Sequence, residues 1–188
     1  MSNRVLIPFA AAVALTVCTI AVLAGGAANP LELLDPGPLV RWGLPLTRTV
    51  HDLAAALTIG ALLLGGLLVP ETTSSRRRVI AGRVAAWSAL AWGLAGVARA
   101  VLAYGDAAGV PVGSEGFWTG AWKFTWDLEV LRAPAITAVG ALSVSAWCFL
   151  NPRRNGLAWA FFGALLALWP LALSGHAAGS ADHETGVD

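Results

Sequence analysis

Five long apolar segments run through the chain, and each is close to the length that crosses a lipid bilayer. A hydrocarbon core of about 30 Å needs about 20 helical residues, since each residue adds about 1.5 Å. Backbone polar groups inside lipid must be satisfied within their own segment, so such runs predict helices. The predicted helices cover residues 6–27, 44–69, 84–102, 133–150 and 157–173. The expected fold is all-α, one polytopic transmembrane bundle of about five helices over residues 1–188.

Basic and acidic residues alternate between the loops that join these helices. Arg4 precedes the first helix, Arg76–Arg78 and Arg83 lie between the second and third, and Arg153 and Arg154 lie between the fourth and fifth. Cytoplasmic loops carry an excess of Lys and Arg, so the amino terminus is predicted inside and the carboxyl terminus outside. The expected location is the plasma membrane. As an alternative, the first helix has the regions of a secretory signal.

The longest loop, between the third and fourth predicted helices, carries Trp118, Trp122 and Trp126. The spacing of four residues places the three indoles on one face if the segment is helical, although Gly120 weakens that prediction. Indole rings favour the membrane interface. We interpret the segment as an aromatic anchor rather than a binding surface.

Composition agrees with a membrane environment and excludes several other classes. The chain is 57% hydrophobic and only 12% charged, with a mean hydropathy of +0.69, so it lacks the polar surface of a soluble domain. Its net charge of +1 gives no basic excess for nucleic acid. Small residues along the second and third helices predict close approach of helix backbones within the bundle. These residues are Ala61 with Gly65, and Gly93 with Gly96.

All three histidines, His51, His176 and His183, fall on the predicted outer side although they are distant in the chain. Imidazole suits copper, zinc, iron and nickel, and a metal site needs several such donors together. Asp52 directly follows His51 and could orient its ring, while Asp182 precedes His183 and could add an oxygen ligand. The three histidines are therefore candidate metal ligands.

A purely structural role for the same polar residues is the competing interpretation. A histidine near a helix end can simply hydrogen-bond a neighbour. Arg48 and Asp52 are four residues apart and can form an ordinary ion pair, while Arg99 can snorkel to the interface or pair with Asp52. Met1 is the only methionine, so a copper site here would depend on imidazole and carboxylate rather than thioether.

Two segments resemble a known family. One reads TVHDLAAALTIGALLL from Thr49, and the more specific one reads LALSGHAAGSADH from Leu171. They resemble the amino-terminal half of actinobacterial copper resistance D (CopD) proteins, many of which continue into a CtaG-type cytochrome c oxidase assembly domain. The resemblance covers nearly the whole chain. It implies copper handling at the outer face of the plasma membrane, with His51, His176 and His183 as the copper-contacting positions.

The end of the chain departs from the pattern of that family. In the family the Asp-His segment leads into further transmembrane helices, whereas here it is followed only by residues 184–188. We therefore expect a bundle that is truncated, or one completed by a partner chain that supplies the missing helices. A CtaG-like assembly protein is a second expected partner.

The expected function is copper binding and transport, in support of cytochrome c oxidase assembly. We expect that the protein is not an enzyme, because a nucleophile with a base and an orienting partner cannot be assembled from these residues. One alternative is electron transfer through a haem held by His51 and His176 between the second and fifth helices. Another is a scaffold subunit whose helices only support a partner.

Overall fold

The computed structural model describes residues 3–30, 34–70 and 75–173, and the regular structure of this part is entirely helical. A π-helical stretch, here called the π segment, continues the second helix over Leu63–Leu68. The α-helices are α1 (Asn3–Ala24), α2 (Pro38–Leu62), α3 (Ser75–Ala108), α4 (Phe117–Thr125), α5 (Glu129–Leu150) and α6 (Arg154–Leu173).

Each of the five predicted apolar segments lies on one of the long helices, which confirms the all-α class. Three stretches of the described chain are long and apolar enough to cross a membrane, namely Pro38–Leu68, Arg76–Ala108 and Leu131–Leu150. Ala12–Ala24 is a shorter apolar helix. The protein is thus a helical membrane protein, while the count of five spans and their orientation stay predictions.

Helix α3 lies at the centre of the bundle and packs most extensively against α2 and α5. Its buried face is built mainly from alanine and glycine, with Trp92 as the one large side chain that is completely buried there. A Cβ atom at Gly96 would lie 3.0 Å from the Cβ of Ala138 on α5. Small residues allow this approach between backbones in lipid, so the predicted packing role of Gly93 and Gly96 is confirmed.

The π segment brings the end of α2 against the start of α6. Gly65 and Gly66 are its buried residues. A Cβ atom at Gly66 would lie 2.7 Å from the backbone nitrogen of Ala158 and 2.9 Å from its Cα atom. The two backbones therefore touch at Gly66, and no larger residue fits without moving one of them.

The short helix α4 lies against one end of α3. Its Phe117 is buried and makes an edge contact with Tyr104, with ring centroids 5.0 Å apart. Gly120 faces the Tyr104 hydroxyl group, so a side chain at this position would collide with the ring. Helix α4 confirms the helix prediction in spite of this glycine, but it ends at Thr125, one residue before Trp126. We call the end of the bundle that carries α4, the start of α2 and the end of α3 the loop end.

The tryptophans of this segment point away from the bundle. Trp118, Trp122 and Trp126 are 61%, 72% and 50% exposed. Trp122 and Trp126 contact each other edge to face, with centroids 6.4 Å apart. Their exposure agrees with the interpretation as an aromatic anchor, which stays a prediction.

A hydrogen bond between helices gives a first testable prediction. The buried Ser145 of α5 donates to the carbonyl oxygen of Ala86 on α3 at 2.8 Å. Such bonds within membrane bundles contribute about 0.6 kcal/mol on average and about 1.7 kcal/mol at most. We expect Ser145→Ala to lower the free energy of unfolding in detergent by about this amount.

Ser143 is the matched control for this measurement. It lies on the same helix, but it is exposed and donates only to the carbonyl of Val139 within α5, at 2.8 Å. Ser143→Ala should leave the free energy of unfolding unchanged. An equal loss in both variants would show that the contact between α3 and α5 does not depend on the Ser145 hydrogen bond.

Candidate functional site

His51 lies near the middle of α2 and is only 1% exposed. Its Nδ1 atom is 3.0 Å from Oδ1 of Asp52, the next residue in the chain. Its Nε2 atom is 2.9 Å from the indole nitrogen of Trp92 on α3, and the two rings meet edge to face. The buried imidazole therefore has a hydrogen-bond partner on each nitrogen. We call His51, Asp52 and Trp92 the imidazole triad.

The partners of His51 determine which of its nitrogens carries the proton. An indole N–H can only donate a hydrogen bond, so the Nε2 atom of His51 must accept from Trp92. The proton of the neutral ring then lies on Nδ1, which donates it to the Asp52 carboxylate. The lone pair that could bind a metal is thus directed at α3 and is held by Trp92.

Metal binding at His51 would need one change in this arrangement. The ion would have to replace the Trp92 N–H at Nε2, while the bond to Asp52 could persist. A carboxylate on the second nitrogen of a metal-binding histidine fixes the ring and raises its basicity. The Asp52 side chain is 63% exposed at the surface of the bundle while it holds the buried ring. Metal ligation by His51 stays a prediction.

The remaining predicted site residues are placed as follows. Asp52 pairs with His51, and within the described ranges it forms no ion pair with Arg48 or Arg99. Arg99 is nevertheless close enough for the charges of Asp52 and Arg48 to act on it. His176, His183 and Asp182 lie outside the described residues. Residues 3–30, 34–70 and 75–173 contain no group of three His, Cys, Asp or Glu side chains that could hold a metal ion.

Trp92 is the member of the triad that sequence reasoning missed. The chain has nine tryptophans, and the long loop holds the three with a regular spacing. One signal was available. Trp92 stands among Ala89, Gly93 and Gly96, whose small size marks the packed face of α3, and a buried indole N–H needs an acceptor. The nearest polar candidate on the neighbouring helix is His51.

The sequence model described as copper resistance protein D-like, N-terminal domain, matches residues 34–186. The chain belongs to this family. The matched region includes the imidazole triad and both segments that carried the resemblance, which is thereby confirmed. No curated protein and no solved structure gave a match.

Membership of the copper resistance protein D-like family, together with the three long apolar helices, identifies a copper-related membrane protein. The described residues offer copper one imidazole, that of His51, and its Nε2 atom is engaged by Trp92. The chemistry of this donor suits copper, but a complete site needs further ligands. Within the matched region, the other histidines are His176 and His183.

Proposed function

We propose that this copper resistance protein D-like domain binds copper at His51, inside the half of the bundle nearer the loop end, and passes it inward or to an oxidase assembly factor at the plasma membrane. The observation that carries the proposal is the imidazole triad. A completely buried histidine, oriented by a carboxylate on one nitrogen, has the arrangement of a metal ligand supported by its surroundings. The family match supports copper as the ion.

In this proposal His51, His176 and His183 bind copper, with Asp182 as an additional oxygen donor. Asp52 keeps its bond to Nδ1 and thereby holds the Nε2 atom of His51 ready for the ion. The bundle crosses the membrane five times with the amino terminus inside, which puts the loop end outside. Helices of a partner chain or a CtaG-like protein would receive the ion and support oxidase assembly.

Trp92 has a defined part in copper binding. In the absence of the ion its N–H satisfies the Nε2 atom, which would otherwise be a buried acceptor without a donor. Copper exchanges with this hydrogen bond, so the cost of opening it reduces the affinity. When copper dissociates, the Trp92 N–H returns to the Nε2 atom, so the buried imidazole keeps a hydrogen-bond partner. Reversible binding of this kind is required of a protein that transfers its ion.

Copper content tests the proposal directly. The full chain, produced with added copper and purified in detergent, is compared by metal mass spectrometry with the triple variant His51→Ala, His176→Ala, His183→Ala. We expect stoichiometric copper in the parent and none in the variant, since imidazole supplies the main ligands. Equal copper in both proteins, or none in the parent, would contradict the proposal.

Two further variants separate ligation from a structural role of His51. Asp52→Asn is expected to weaken copper binding by about 10- to 100-fold, as loss of a group that orients a ligand does. Trp92→Phe removes the competing N–H and should leave copper affinity equal or higher. If Trp92→Phe and His51→Ala reduce copper content alike, His51 acts through the fold and not as a ligand.

A haem iron would need the same Nε2 atom. The ring of His51 is enclosed between α2 and α3, and it lines neither the cavity between α5 and α6 nor the cavity at the loop end. A porphyrin beside it would require these helices to separate where alanine side chains hold them together. The geometry therefore favours a small ion over haem.

A further inference from the structure

A cavity of about 440 Å³ opens at the loop end, between the segment that follows α1, the start of α2 and the end of α3. Three arginines line it: Arg41 and Arg48 from α2, and Arg99 from α3. Asn29 contributes a side-chain amide, and Asp106 is the one acidic side chain in the lining. Three guanidinium groups facing one small volume repel each other unless an anion lies between them.

The hydrogen bonds of these arginines leave much of their donor capacity unused. Arg41 is paired with Asp35 through Nη1 at 2.9 Å, yet its Nε atom is buried and has no hydrogen-bond partner within the described residues. In the same part of the chain, Arg48 and Arg99 form no hydrogen bond or ion pair within contact distance. A guanidinium has five N–H donors, so this cavity offers many donors with few internal acceptors.

Acidic groups around the cavity do not balance its positive charge. Asp35 forms an ion pair with Arg41. Asp52 is hydrogen-bonded to His51, and its charge also attracts Arg99. Asp106 is exposed and is not within ion-pair distance of any arginine in the described ranges. The lining thus carries three positive side chains against one negative side chain.

The rest of the lining is apolar. It consists of Ala27, Pro36, Val40, Leu44, Pro45 and Ala103, together with Ala107. A ligand for this cavity would place an anionic group on the arginines and an apolar part against these residues. Guanidinium groups bind phosphate through paired, charge-assisted hydrogen bonds, which gives phosphate an advantage over a spherical anion.

We propose that this cavity binds a phosphate group, held between Arg48 and Arg99, with Arg41 and Asn29 completing the contacts. The proposal concerns different residues from those of the copper site and does not rest on it. The phosphate could belong to the headgroup of an anionic phospholipid or to a free phosphate compound. Both sources share the chemistry that the arginines recognise.

Ligand-dependent thermal unfolding of the full chain tests this site. The protein in a neutral maltoside detergent is titrated with dioctanoyl phosphatidylglycerol, with dioctanoyl phosphatidylcholine, and with inorganic phosphate at constant ionic strength. We expect an anionic ligand to raise the unfolding temperature of the parent in proportion to the logarithm of its concentration. A rise with phosphatidylglycerol alone identifies a lipid headgroup, and a rise with inorganic phosphate identifies a free phosphate.

The decisive variant is Arg48→Gln, Arg99→Gln, in which affinity should fall by about tenfold or more, since charge-assisted hydrogen bonds are lost. Its matched control is Arg76→Gln, Arg77→Gln, which removes two exposed arginines from the opposite end of α3. The control should bind like the parent. Equal affinity in both double variants, or no ligand effect on the parent, would overturn the proposal.

Single variants keep the test decisive if the Arg48→Gln, Arg99→Gln protein does not fold. Arg48→Gln and Arg99→Gln are then measured separately, each with an expected loss in affinity of about tenfold. Two unchanged affinities would overturn the assignment. The copper content of these variants should equal that of the parent, which distinguishes failure of this site from failure of the copper site.

Discussion

Gly66→Ala is expected to lower the free energy of unfolding by about 3 kcal/mol, at the upper end of what overpacking costs. The new methyl group would lie 2.7 to 2.9 Å from backbone atoms of Leu157 and Ala158. Backbone cannot rotate away as a side chain can, so α6 must shift from the π segment as a whole. Equilibrium unfolding in mixed detergent micelles, followed by tryptophan fluorescence, measures the loss.

Gly60→Ala is the matched control, because Gly60 lies on the same helical run and a Cβ atom there has nothing within 4 Å. The same substitution at this exposed position should be neutral or slightly stabilising, since alanine favours a helix by about 1 kcal/mol over glycine. A loss at Gly60 as large as that at Gly66 would mean that backbone flexibility, and not contact with α6, is responsible.

His51→Leu is the second substitution with a large expected effect, a loss of about 3 kcal/mol in the free energy of unfolding. It leaves the Trp92 N–H buried without an acceptor, and such a group costs about 1–3 kcal/mol. It also exchanges a planar ring for a branched side chain at a site that is 1% exposed, which adds packing strain. The Asp52 carboxylate loses its partner as well.

The double variant His51→Leu, Trp92→Phe makes this prediction specific. Replacing both partners of a buried hydrogen bond by apolar groups can be nearly neutral, so the double variant should be more stable than His51→Leu alone. A double-mutant cycle with Trp92→Phe measures this coupling between the two residues. Additive losses, with no coupling, would show that the hydrogen bond between Nε2 and the indole does not stabilise the bundle.

The sequence located the long helices because bilayer thickness leaves a simple signature, an apolar run of fixed length. It misplaced their ends. Helix α3 begins at Ser75, whereas the apolar run suggested residue 84, because Arg76–Arg78 and Arg83 continue the helix outside the apolar stretch. Arginine is a good helix former, and a charge interrupts hydropathy without interrupting hydrogen bonding.

The sequence could associate residues of the candidate site only where they are neighbours along the chain. The neighbours His51 and Asp52 could be associated by their adjacency, and the structure places them in contact. Trp92 is 41 residues away, and its contact with His51 depends on how α3 is rotated about its own axis. That rotation follows from the alanine and glycine faces of α2, α3 and α5 together, which no single spacing specifies.

The same limit explains why the spacing suggested an ion pair between Arg48 and Asp52 that does not form within the described residues. Spacing of four residues made Arg48 and Asp52 plausible partners, yet Asp52 bonds to the adjacent His51, and Arg48 faces the cavity at the loop end. A pattern on one helix states which residues share a face. It does not state which of them finds a better partner once neighbouring helices are in place.

The length of α2 determines how deep the imidazole triad lies. With its π segment the helix has 31 residues, so it is about 46 Å long and exceeds a bilayer core of about 30 Å by about 8 Å at each end. His51 lies 13 residues beyond Pro38, or about 20 Å along the axis. An upright, centred helix therefore holds this ring about 12 Å below the hydrocarbon boundary. Any ion that reaches it must first shed its water, and dehydration becomes the step that its ligands have to compensate.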